Sequence, residues 1–185
     1  MKRRFLIIAL LLSSFMFLLI SCVQDIGPEG VSFEEDKYIE QKTEWEKLGI
    51  KNYSFDYDLV ECEFGIPSWK FHVTVVDGVG SINLYDYPYS VNPFENQLYY
   101  IDCIEDLFAR VDTIYKTGKQ DFESGKYIYV RIDVNYNFEY SFPEYVYLRC
   151  ETKEYQKKNY KNGEIALGPA HSDYHVVISN FKVDE

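Results

Sequence analysis

The chain has 185 residues, 46% of them hydrophobic and 18% aromatic, and 19 Lys+Arg against 30 Asp+Glu give a net charge of −11. This apolar and aromatic content excludes intrinsic disorder, and the acidic balance excludes a general nucleic-acid binder, which needs a basic footprint. Four Cys are too few for a disulfide-dense miniprotein.

The first element is an address. Lys2, Arg3 and Arg4 precede an apolar stretch from Phe5 to Ile20, broken only by Ser13 and Ser14. A basic start, an apolar middle and a small residue before the cut are the grammar of a secretory signal. Leu19-Ile20-Ser21-Cys22 resembles the lipobox of bacterial lipoproteins. The resemblance implies cleavage before Cys22 and acylation of its thiol. Residues 1–21 are then the signal peptide, 22–32 a lipidated tether and 33–185 a single domain. The expected location is the bacterial cell envelope, outside the cytoplasm, in the periplasm or on the surface. The alternatives are a permanent transmembrane anchor and a plain cleaved signal with an incidental Cys. Cleavage leaves 16 Lys and Arg against 30 Asp and Glu, a net of −14 on 164 residues. Anionic lipid repels such a chain, so the acyl chains must hold it at the membrane.

The first helix is expected from Phe33 to Leu48, with Ser32 and Glu35 as a capping box and Gly49 as the stop. Its apolar stripe, Tyr38, Trp45 and Leu48 with Ile39 beside them, is thin and suits a helix lying on a sheet. Three strands follow. Tyr53, Phe55, Tyr57 and Leu59 alternate with Ser54, Asp56, Asp58 and Val60; Trp69, Phe71, Val73 and Val75 alternate with Lys70, His72, Thr74 and Val76. Asp77-Gly78 predicts a two-residue hairpin into a third strand, Val79 to Tyr85. Asp86 to Gln97 reads as a loop whose Tyr87, Tyr89 and Phe94 form either a lid on the core or an exposed aromatic surface.

The second helix is predicted from a capping box of Asp102 and Glu105 to a stop at Gly118. Ile104, Leu107, Phe108, Val111, Ile114 and Tyr115 make a wide apolar face. Then Ile128, Val130, Ile132 and Val134 alternate with Tyr127, Tyr129, Arg131 and Asp133, and Val146, Leu148 and Cys150 with Tyr145, Tyr147 and Arg149. The last strand runs from about Tyr174 to Val183. The Thr152–Ser172 segment, with Lys153, Lys157, Lys158 and Lys161, reads as a solvated loop. The order α-β-β-β-α-β-β-β predicts an α+β fold, an antiparallel sheet with helices packed on one face.

Several pieces together resemble a family of small bacterial exported and lipoprotein domains known only as a domain of unknown function. They are Trp45, Gly49-Ile50 and Tyr53-Ser54-Phe55; Cys62 at the strand end; Val73-Thr74-Val75-Val76-Asp77-Gly78; Ile104 to Phe108; and Phe142-Pro143 before Tyr145 to Leu148. The chain departs from the pattern at Ser141, where a Gly is expected, and lacks a second Cys close after Cys62. The resemblance implies a fold and a location and carries over no catalytic residue.

The chemistry is sparse. His171 and His175 are four apart, a metal pair only on a helix, which the following strand argues against. Paired carboxylates such as Asp56/Asp58 or Glu34/Glu35 suit acid–base work but read more simply as solvating charges. No metal and no cofactor is expected. Cys62, Cys103 and Cys150 leave one disulfide and one thiol open, and Cys103 reads either as a helix-start thiolate or as a small buried residue. The candidate binding surface is Tyr127, Tyr129, Arg131, Tyr145, Tyr147 and Arg149, two Tyr-x-Tyr-x-Arg faces that meet if the strands pair, in residue types enriched at binding hot spots. The expected function is a non-enzymatic binding module whose partner is an envelope protein or glycan; the alternative is an envelope-directed hydrolase that uses surface carboxylates.

Overall fold

A computed structural model describes residues 27–61, 69–86, 101–161, 164–165 and 172–184. The elements are β1 (Gly30–Ser32), α1 (Glu35–Leu48), β2 (Tyr53–Glu61), β3 (Trp69–Val76), β4 (Val79–Asp86), α2 (Ile104–Glu123), β5 (Tyr129–Tyr136), β6 (Pro143–Glu151), α3 (Lys153–Asn159), β7 (Tyr160–Lys161), β8 (Glu164–Ile165) and β9 (Ser172–Val183). Seven strands form one sheet in the order β1-β5-β6-β9-β2-β3-β4, and β7 pairs with β8 separately. All pairings in the large sheet are antiparallel except β1 with β5. The fold is α+β, with α1 and α2 on one face. The signal segment, Cys22, Cys62, His171 and the aromatic loop residues Tyr87, Tyr89 and Phe94 lie outside the described residues.

Period-two alternation sorts the two faces of the sheet. Tyr53, Phe55, Tyr57 and Leu59 of β2, Phe71, Val73 and Val75 of β3, Val146 of β6 and Val176 and Ile178 of β9 are buried against Tyr38 and Trp45 of α1 and Ile104, Leu107, Phe108 and Val111 of α2. Each such side chain contributes about 1.5–3 kcal/mol on burial. A second cluster, Val130, Ile132 and Cys150, continues this layer under β5 and β6. The hairpin turns on Asp77 and Gly78, both at positive φ (52° and 80°), which fits the twist of the flanking strands.

One irregularity rescues a core residue. The β2–β9 register shifts between Ser54 and Asp56, and Asn180 stands at φ 52°. This bulge reverses the parity of β9, so Phe181 turns to the helix side after Val176 and Ile178. Its ring lies 4.5 Å from that of Phe142, 5.5 Å from Tyr53 and 6.1 Å from Trp45.

Several local expectations are corrected. Ser32 belongs to β1 and does not cap α1, whose N-cap is Glu34 with no side-chain cap bond. A short parallel pairing to β5 takes Ser32 before the helix can use it. Gly49 does end α1, at φ 61°, while Leu48 and Ile39 stay exposed. Asp102 does not cap α2 either; the N-cap is Cys103, again without a side-chain cap bond. Gly118 does not stop α2, which continues to Glu123. A Cβ there would stand 2.8 Å from Val130 Cγ1, so the missing side chain at Gly118 lets α2 pass close over β5. The segment after Thr152 is not simply a solvated loop: Thr152 Oγ1 accepts the Tyr155 N–H at 3.1 Å and starts α3, and Gln156 and Tyr160 are buried.

Candidate functional site

The face of the sheet opposite α1 and α2 carries the polar half of each alternation. β5 and β6 pair with Arg131 opposite Arg149, Asp133 opposite Tyr147 and Tyr129 opposite Glu151. Like charges directly across a strand pair are destabilising, and each arginine takes a carboxylate two residues along its own strand. Arg131 Nε lies 2.7 Å from Asp133 Oδ2, and Arg149 Nε donates to Glu151 Oε1 at 2.6 Å.

The six predicted residues separate into groups. Tyr127 precedes β5, packs toward the Val130–Ile132–Cys150 cluster and has Lys126 Nζ 4.9 Å from its ring centroid. It is not on the open face. Tyr129 and Arg149 lie at the α3 end. The Arg149 side chain is only 13% exposed, and its Nη2 donates to Tyr155 Oη at 3.3 Å. Burial alone would lower its pKa, but hydrogen bonds to Glu151 and Tyr147 outweigh that and hold it above the ordinary guanidinium value. Tyr145, Tyr147 and Arg131 remain as the accessible part.

The structure adds His175, which sits on strand β9 directly opposite Tyr147. The Tyr145 and Tyr147 rings are nearly parallel, with centroids 6.5 Å apart and planes at 12°, and the His175 ring is 6.2 Å from Tyr145. Sequence alternation could place His175 on a strand but could not name its neighbour. No cluster suited to a metal ion occurs among the described residues, which include His175 on β9 but not His171.

At the α3 end Glu151 is fully buried. Its Oε1 accepts from Arg149 Nε and Tyr160 Oη, and its Oε2 from Gln156 Nε2 at 3.0 Å. Gln156 Nε2 also donates to the Pro28 carbonyl at 2.6 Å, and Gly27 is buried against the same amide. Residues 27–32, read from sequence as tether, are thus built into the fold. Between Cys22 and Gly27 the chain can reach no further than about 18 Å.

A second polar group lies on β2 and β3. Asp56 Oδ1 is 2.6 Å from His72 Nδ1, and Asp56 Oδ2 accepts from Asn180 Nδ2 at 2.7 Å. His72 Nε2 is 3.4 Å from Thr74 Oγ1. Burial tends to raise the Asp56 pKa; the hydrogen bonds from Asn180 and His72 and the charge of Lys182 prevail and lower it. The sequence analysis did not join these residues, since Asp56 and His72 meet only through the β2–β3 register.

Cys103 is half-buried, and its thiol is pushed up to about 12, chiefly by burial. The helix-start thiolate reading is therefore corrected: desolvation, with the nearby Asp106 and Glu105 charges, overrides the helix terminus. No family model matches the chain, and no curated protein or solved structure matches it either.

Proposed function

We propose that the protein is a lipid-anchored, non-enzymatic binding module of the bacterial cell envelope, held to a membrane through Cys22, with the open sheet face turned to an envelope protein or glycan. The single observation behind the binding assignment is the Tyr145–Tyr147 pair, two nearly parallel rings on one strand with His175 alongside. Strand-borne tyrosines give broad contact area at low entropic cost. The anchor rests on the lipobox and is consistent with the Gln156–Pro28 bond, which fastens the chain six residues after Cys22. Kinship with the exported domains of unknown function is part of the same proposal, resting on the Trp45, Tyr53–Phe55 and Val73–Gly78 pieces.

The test is crosslinking in intact cells, with retention on purified peptidoglycan measured in parallel. The wild type retains a specific partner or glycan, and Tyr145→Ala with Tyr147→Ala loses it at least about tenfold. Unchanged retention removes the binding assignment. An inhibitor of lipoprotein signal peptidase tests the anchor separately: the mass must shift by the uncut signal.

A second reading, an envelope-directed hydrolase, draws on the chain Asp56–His72–Thr74, in which a carboxylate orients an imidazole toward a hydroxyl. Its weakness is the setting. Thr74 is paired on both sides, with Ser54 and Ser81, so the neighbouring backbone N–H groups serve the sheet rather than an oxyanion. Equal rates of p-nitrophenyl acetate hydrolysis by wild type and His72→Ala would eliminate it.

A further inference from the structure

β4 ends the sheet on one side, and the segment leading into α2 packs over its helix-side face, where a Cβ on Gly80 would fall 1.7 Å from the Asp102 carbonyl oxygen. At the other edge β1 covers only part of β5. It pairs at Gly30↔Tyr129, Val31↔Val130 and Ser32↔Arg131 and then gives way to α1, whereas β5 continues to Tyr136. Among the described residues no strand pairs with this side of β5 beyond Arg131.

The backbone of the uncovered stretch points outward in a known way. Gly30 N–H donates to the Ile128 carbonyl at 2.9 Å, so even-numbered residues turn their main-chain groups toward β1. Strand alternation gives Val134 and Tyr136 the same direction. From Ile132 to Tyr136 the edge is about 13 Å long. Beside it lies a cavity of about 410 Å³, walled by Phe33, Glu34 and Lys37 at the start of α1 and by the Asp133–Tyr136 stretch and Tyr145. The end of β1 closes one end of this groove.

The charges around it favour one sign of ligand. The two nearest cations are already engaged: Lys37 Nζ is 3.2 Å from Glu34 and 5.8 Å above the Tyr136 ring, and Arg131 is paired with Asp133. Glu35 and Asp36 in the first turn of α1 and Glu139 and Glu144 on the β5–β6 hairpin are exposed. The lining itself is balanced, Glu34 and Asp133 against Lys37 and Arg131, so the negative surplus comes from these exposed neighbours and from the whole chain.

We propose that this groove is a second binding site, adjoining the Tyr145–Tyr147 face at Tyr145, which takes an extended cationic peptide segment as an added strand on β5 in line with β1. A row of alternating N–H and C=O groups is matched by another extended backbone and poorly by a compact small molecule. The cavity lies within the volume range of binding pockets, and the acidic residues on the adjoining helix start and hairpin favour lysine- or arginine-bearing segments.

The test is hydrogen exchange, read by mass spectrometry, on the mature lipidated protein in non-ionic detergent. The probe is an acetylated octapeptide of alternating Lys and Thr. The controls are its Glu-Thr counterpart and a Lys-Thr peptide N-methylated at alternate residues, which cannot form the ladder. The Lys-Thr peptide should slow exchange across 132–136 at least about fivefold and leave β4 unchanged. Val134→Pro, checked for folding by circular dichroism, should abolish the effect. The N-methylated control keeps the test decisive should that variant fail to fold. No slowing at about 1 mM probe, equal slowing by the Glu-Thr or N-methylated peptide, or protection of 132–136 by self-association alone overturns the proposal.

Discussion

The Trp45 indole N–H donates to Glu105 Oε1 at 3.0 Å across sixty residues of sequence. Tyr53 Oη donates to Oε2 of the same carboxylate at 3.1 Å and accepts the Ile104 N–H at 3.0 Å. The first helical N–H of α2 is therefore capped by a phenol from β2, and Glu105 ties α1, β2 and α2 together. The carboxylate that sequence grammar assigned to a capping box serves tertiary structure instead.

Tyr53→Phe should cost about 1–2 kcal/mol, because it leaves the buried Ile104 N–H without an acceptor and Glu105 Oε2 without its tyrosine donor. Asp102→Ala should stay within about 0.5 kcal/mol, since Asp102 caps nothing. Urea unfolding of the two variants separates these outcomes.

Glu151→Ala should cost about 3–5 kcal/mol, because Arg149 would remain largely buried without its carboxylate. Replacing both groups, Arg149→Met with Glu151→Leu, should recover most of that loss. Limited proteolysis should also cut the Glu151→Ala variant faster near Pro28, which Gln156 holds beside Glu151.

Gly118→Ala gains about 1 kcal/mol of helix propensity but drives a methyl into Val130, an overpacking cost of about 1–3 kcal/mol. The expected net loss is about 1 kcal/mol. In a cycle with Val130→Ala the pair should couple by about 1 kcal/mol, read from denaturant midpoints.

Asp56 has a folded pKa below its ordinary 3.8. Its stabilising contribution is complete above 3.8 and is lost as pH falls through that value to the folded one. Asp56→Asn should therefore flatten the acid limb of the stability curve, measured by urea unfolding between about pH 5 and about pH 2.5.

Ser141 adopts φ 62° in the turn where Asn137 Oδ1 accepts the N–H groups of Glu139 and Tyr140. This is the left-handed conformation that glycine adopts freely. Ser141→Gly should raise stability by up to about 1 kcal/mol in thermal unfolding.

Much of the fold was readable from local patterns, because each rests on a physical period. Alternation named the buried sides of β2, β3, β5 and β6; Asp77-Gly78 and Gly49 required left-handed backbone and adopted it. Expectations failed where a distant group outbid a neighbour. Ser32 was drawn into β1, Tyr53 displaced the Asp102 cap, and Gly118 met Val130 instead of ending a helix. Of the six candidate binding residues, alternation found the face for five, but it could not show that Glu151 and Tyr155 occupy Arg149 or that His175 joins the tyrosines.

By itself the sequence determined the α+β class and which residues of β2, β3, β5 and β6 face the core, and it supplied the lipobox resemblance on which the localisation proposal rests. These follow from local chemistry: side-chain period, turn conformation and contiguous motif. Only the tertiary structure decided strand order, the bulge that turns Phe181 inward, the pairing of Asp56 with His72, the Glu151 node that holds Pro28, and the uncovered half of β5. Each depends on register between segments far apart in the chain, and register is set by the packing of the whole sheet rather than by any one strand.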